Sequence, residues 1–88
     1  MPERGKKEDA MEKIKSTCGK YAVNLFKNGG ADDDIIALAE QKTGSNAFGE
    51  PRYEFWFTIG NYKSKKIAVR QSVKRMRRHG IELAIPNN

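Results

Sequence analysis

Residues 8–27 read EDAMEKIKSTCGKYAVNLFK, and how that stretch folds sets the N-terminal half of the molecule. Met11, Ile14, Cys18, Ala22 and Leu25 recur at three- and four-residue steps, the spacing that lines side chains along one side of an α-helix. The pattern predicts a helix from about Glu8 to Lys27, with Val23 and Phe26 widening its apolar face and Asn28-Gly29-Gly30 ending it. Lys6, Lys13, Lys20 and Lys27 stand seven apart, so those inside such a helix fall on one drifting line opposite much of the apolar stripe. That line is either a solvated face or a second row of phosphate contacts.

On the N-terminal side, MPERGKK (residues 1–7) is polar and broken by Pro2 and Gly5, which predicts a mobile arm before a single domain spanning 8–88. On the C-terminal side, ADDDIIALAEQKTG (residues 31–44) predicts a second short helix from Asp33 to about Lys42. Its acids gather at the positive helix end, and Lys42 and Gly44 stand at its finish. Asp32, Asp33 and Asp34 are explained by that placement without a metal, because a calcium site needs oxygens gathered from a loop and no such loop motif is present. Ala39 followed by Gly44 faintly resembles the turn of a helix-turn-helix, but Gly49 and Pro51 oppose the recognition helix that would have to follow. TGSNAFGEP (residues 43–51) is therefore read as a loop.

RYEFWFTI, Arg52 to Ile59, is the clearest strand, dense in aromatic and β-branched residues and closed by Gly60-Asn61. Strict alternation would put Tyr53, Phe55, Phe57 and Ile59 on one face and Glu54, Trp56 and Thr58 on the other, leaving Trp56 the aromatic outside the main core. Aromatics on a strand serve either as core or as a stacking platform for unpaired bases.

KKIAVRQSVKRMRRHG (residues 65–80) holds seven Lys or Arg and no acid. Two geometries suit it. In the favoured one, KKIAVR is the return arm of a hairpin and a short helix runs from about Ser72 to His79. In the other, Ser64 caps a helix of about 15 residues in which Val69, Val73 and Met76 face inward and Lys66, Arg70, Lys74 and Arg78 form an outward stripe of i, i+4 spacing. Both end the helix at Gly80, add a closing strand IELAI (Ile81 to Ile85) and expose Lys74, Arg75, Arg77 and Arg78. The expected fold is thus α+β, with N-terminal helices packed on a small, mainly antiparallel sheet that carries a basic C-terminal helix.

Charge sharpens the functional expectation. Met1 to Glu54 carries nine basic and ten acidic residues, whereas Phe55 to Asn88 carries eight basic and one acidic. Such asymmetry is the footprint of a polyanion partner. Basic residues at a helix C-terminus also answer the helix dipole, yet four in the five positions from Lys74 to Arg78 exceed that need, and like charges a turn apart repel. Acids of the first half, Asp32 to Asp34 above all, could fold over and neutralise them.

The expected function is non-catalytic binding of nucleic acid, RNA ahead of DNA, in a small regulatory or viral accessory protein. The candidate contacts are Lys63, Lys65, Lys66, Arg70, Lys74, Arg75, Arg77, Arg78 and Trp56. The alternative is a protein-interaction module, a dimeric adaptor or inhibitor that sets the apolar face of the first helix and a basic rim against an acidic protein. At 88 residues the core is small, so a homodimer is a plausible supplement in either case. No cofactor, metal or small-molecule substrate is expected: Cys18 and His79 are the sole residues of their types, and no nucleophile, metal or phosphate-loop motif occurs. Neither a secretion signal nor an apolar run near 20 residues is present, which points to an intracellular site, cytoplasmic or nucleoid and nuclear, and away from the membrane.

Overall fold

A computed structural model describes residues 9–27 and 34–85. Four strands, β1 (Asp9–Lys15), β2 (Tyr21–Lys27), β3 (Ile35–Ser45) and β4 (Pro51–Tyr62), precede one helix, α1 (Lys65–Arg78). The strands form an antiparallel meander in the order β1-β2-β3-β4, and α1 lies across β2, β3 and β4 on one side of it. The expected helices packed on a sheet are therefore replaced, over residues 9–27 and 35–45, by strands. The arm at 1–7 lies outside the described residues, as do Asp32 and Asp33.

The physical reason for the correction is visible in the register. Ile14 pairs with Val23 and Val23 with Ala39, while Leu25 pairs with Ala37, so the buried side chains line up across strands. Val23 and Leu25 in β2 and Ile35, Ala37 and Ala39 in β3 recur every second residue, as a pleated sheet with one covered face requires, while the small Ala22 is buried on the opposite face. The three- and four-residue spacing of Met11, Ile14 and Cys18 was coincidental, for Cys18 sits exposed in the β1–β2 turn. Gly19 makes that turn possible with φ +78°, and Ser16 closes it by donating its N–H to Tyr21 O at 2.8 Å. In β3 the helix-forming composition of IIALAE is overridden by pairing on both edges; Ile35, Ala37 and Ala39 are buried while Ile36, Leu38 and Glu40 point the other way. The line of lysines dissolves too: Lys13 lies on the sheet face opposite the helix, Lys20 in the turn, and Lys27 on the helix side.

β4 is a strand as expected but longer, and it does not alternate strictly. Its pairing with β3 shifts between Ala37 and Leu38 and again between Ala39 and Glu40, so Ile59 and Trp56 are extra residues opposite a shorter run of β3. Each bulge reverses the faces. Phe57 pairs with Ala39 on the helix side, and Trp56 and buried Ile59 join the helix-side core. Tyr53, Phe55 and Thr58 fall opposite Lys42, Glu40 and Leu38 on the far side. The single aromatic row expected from Tyr53 to Phe57 is thereby divided between the two faces.

The alternative in which residues 65–78 form one helix is the one the structure adopts; the hairpin return arm is not. Ser64 accepts the Ile67 N–H at 3.3 Å and caps α1, which gives the polar "SK" start a reason to be helical. At the other end Gly80, with φ +75°, donates to Arg77 O at 2.9 Å and Ile81 donates to Met76 O at 3.0 Å, a Schellman stop. Ile81 then joins Met76 in the core. The closing IELAI segment is no strand of the sheet: it is extended, with a single bridge from Leu83 to Ser16, held by Thr17 N–H to Glu82 O and Ala84 N–H to Lys15 O, both 2.8 Å.

Small residues set how closely helix and sheet approach. Ala68 and Ser72 are fully buried on the inner face of α1, and Ala37 and Ala39 on the sheet beneath, with Met76, Val23 and Leu25 filling the space around them. Burying the Ser72 hydroxyl costs little because it donates to Ala68 O at 2.7 Å within the helix. Two ion pairs tie the start of α1 to the sheet, Lys65 to Glu12 at 2.6 Å and Lys63 to Asp34 at 3.3 Å.

Replacing Leu25 or Ile14 by Ala should cost about 2–5 kcal/mol in urea denaturation, since each leaves a hole in a filled interior. Ser64→Ala should cost about 1 kcal/mol by removing the cap. Unchanged midpoints for both core variants would contradict the pairing described.

Candidate nucleic-acid interface

The expected basic contacts divide into two groups. Lys63 and Lys65 are engaged with Asp34 and Glu12 and act as fasteners of the helix start. Lys66, Arg70, Lys74, Arg75, Arg77 and Arg78 make no ion pair among the described residues, and all but the half-buried Arg75 are exposed. Lys66, Arg70, Lys74 and Arg78 fall at i, i+4 steps and follow one outward line on α1. Asp34, the acid that could have folded over the patch, is instead beside Lys63.

Local stability does not explain this charge. The first turn of α1 holds no acid and contains Lys65 and Lys66, at the end where the helix dipole disfavours cations by about 0.3–1 kcal/mol each. In the last turn Arg75, Arg77 and Arg78 do suit the dipole, but they crowd one another.

Where α1 passes over the end of β4, Gln71, Lys74, Arg75 and Arg78 face Ile59 and Tyr62 across a groove of about 200 Å³. Three cationic side chains, a carboxamide and a phenol thus surround one opening, and no carboxylate lines it. Such a lining can take an anion the size of a phosphate, with bidentate guanidinium contacts available on two sides. Tyr62 and Gln71 were not anticipated from sequence. Tyr62 lies beyond Gly60-Asn61, which read as a strand end, whereas the bulge at Ile59 lets β4 continue through both.

Trp56 is neither alone nor on the far face. It stacks on Tyr21 with centroids 5.4 Å apart, meets Phe57 edge-on at 4.8 Å and lies 5.3 Å from His79. Arg75 sits over the Phe57 ring at 5.1 Å, a cation–π contact that fixes its guanidinium at the groove. Trp56 and His79 therefore buttress the basic end of α1. Among the described residues no three His, Cys, Asp or Glu side chains gather as a metal site, and no helix is long and apolar enough to cross a membrane.

Cys18 is exposed in the β1–β2 turn, where the Ser16 hydroxyl lies 3.3 Å from its sulfur. Ser16 Oγ also accepts from Tyr21 N–H at 3.0 Å, and the hydrogen bond between Ser16 and Cys18, with a backbone bond at Lys20, lowers the thiol pKa. No family model, curated protein or solved structure matches the chain, so its own residues carry the functional reading.

Two outcomes follow from this geometry. With Trp56 half-buried against His79 and against Phe57, the ring that Arg75 overlies, the ratio of iodide to caesium quenching should exceed that of free N-acetyltryptophanamide at low salt and approach it as salt screens the field. A ratio equal to or below that of the free indole would contradict a net positive field there. Ser16→Ala should move the pH profile of Cys18 alkylation to higher pH, since the bond that favours the thiolate is lost; an unmoved profile would assign the shift to the backbone alone.

Proposed function

We propose that this protein binds nucleic acid without catalysis, gripping phosphates with the outward stripe of α1 and the groove beside it. RNA is favoured slightly over DNA, since an exposed aromatic on β4, Phe55, stands on a chain rich in basic residues and suits unpaired bases. The observation that carries the reading is the groove: Lys74, Arg75 and Arg78 converge on one opening with no carboxylate in its lining. Lys66 and Arg70 extend the cationic line along the helix, so successive phosphates of one backbone could be met in turn. These contacts fix position and register and carry no base identity. The interaction-module alternative required the apolar face of an N-terminal helix; in its place stand β1 and β2.

Arg75→Gln with Arg78→Gln keeps polarity and helix propensity while deleting two charges. Binding of a single-stranded oligonucleotide should weaken whatever its sequence, and the slope of log K against log salt should fall by about 1.4, at ~0.7 per lost phosphate contact. A folded double variant with the parent's affinity and slope would show these arginines to be a solvated face.

A further inference from the structure

The sheet face opposite α1 is covered by no other element among the described residues. Register places Lys15, Ala22, Glu40 and Phe55 in one row across it, Lys13, Asn24, Leu38 and Thr58 in the next, and Tyr53 opposite Lys42 at its end. Phe55 leaves 60% of its surface exposed. The Tyr53 hydroxyl donates to Gly19 O at 2.9 Å, which pins the ring, and the ammonium groups of Lys13 and Lys15 lie 5.2 and 5.9 Å from its centre. Glu40, the acid of this face, is held by Lys13 at 3.2 Å and by Asn24 Nδ2 at 3.1 Å, so Lys15 and Lys42 leave the face positive.

We infer that this open face is a second binding surface, on which the unpaired bases of a single-stranded nucleic acid stack against Phe55 while Lys15 and Lys42 meet its backbone. The inference rests on the nucleic-acid reading above and adds the substrate form, an unpaired segment. Aromatic rings within a positive surface are the combination that single strands use, because every base has a π-face and every linkage a negative charge. A second copy of the chain is the poorer occupant, since stacking two such faces would bury Lys15 and Lys42 of both copies in like-charge surroundings. β4 joins the two surfaces: it is an edge strand of the sheet, with Tyr53 and Phe55 on the open side and Ile59 and Tyr62 in the groove beside α1. A single strand can therefore turn around its edge from phosphate groove to base platform, a path closed to a stiff duplex.

The test compares Phe55→Leu, which keeps apolar area and removes the π-face, with Phe55→Trp, which keeps both. Oligouridylate, oligodeoxythymidylate and an RNA duplex are titrated at low salt, with sedimentation as a check on self-association. Loss of about 5- to 150-fold in single-strand affinity for Phe55→Leu, near-parent binding for Phe55→Trp and unchanged duplex binding are the expected result. The two single strands separate RNA from DNA as the source of the bases. If Phe55→Leu binds both like the parent while the Arg75/Arg78 double variant is weakened, the platform is wrong and the phosphate grip stands. If the parent binds none of the three, both fall. A parent dimer that Phe55→Leu preserves and Phe55→Ser dissolves, with no loss of single-strand affinity in either variant, would assign the face to a second copy and overturn the inference.

Discussion

The close seating of α1 on one side of the meander governs everything else in the molecule. Ala68 and Ser72 let the helix backbone approach the sheet where Ala37 and Ala39 offer no bulk, and Met76, Leu25, Val23 and Ile14 close the interior around that contact. A helix committed by its inner face has only its outer face for solvent, so Lys66, Arg70, Lys74 and Arg78 are displayed as one line. The same seating brings Lys74, Arg75 and Arg78 up to Ile59 and Tyr62 and creates the groove. With one helix spent on one face, the other is left with Phe55 and its neighbouring lysines outward.

Much of the candidate site was legible in the sequence, because a run of cations without acids has few places to hide. The stop at Gly80 follows from local chemistry in either geometry of residues 65–80. The cap at Ser64 and the outward stripe from Lys66 to Arg78 belong to the geometry the sequence favours less, because Ile67 and Val69 also alternate as a hairpin arm would. The strand at 52–59 was equally plain from its aromatics. The N-terminal half was not. Ile14, Val23 and Leu25 are buried by partners on other strands, and a seven-residue strand shows too few alternations to be told from a helix when Met11 and Cys18 fill the helical spacing by chance. In β3 the residues Ala37, Leu38, Ala39 and Glu40 favour a helix in isolation and are overruled by neighbours on both edges.

The bulges in β4 are the least readable feature and the one with the largest functional consequence. Nothing in RYEFWFTI announces that Trp56 and Ile59 are extra residues, yet those two insertions send Phe57 and Trp56 beneath the basic end of α1 and leave Phe55 on the opposite surface. Arg75 is steadied over Phe57 as a result. On the proposed reading, phosphate grip and base platform are two sides of a single bulged strand, which explains why a chain of 88 residues could hold a flexible polyanion with one helix and one sheet.

The most direct measurement is a map of backbone amide shifts as oligouridylate is titrated into the labelled protein. Perturbations are expected along Lys74 to Arg78, at Ile59 and Tyr62, and on the far side at Phe55, Lys15 and Lys42, with the buried positions Val23, Leu25 and Ala37 unmoved. Shifts confined to the Ser16–Lys20 turn and the Asn46–Glu50 loop, or none at all, would contradict a nucleic-acid site built on α1 and β4.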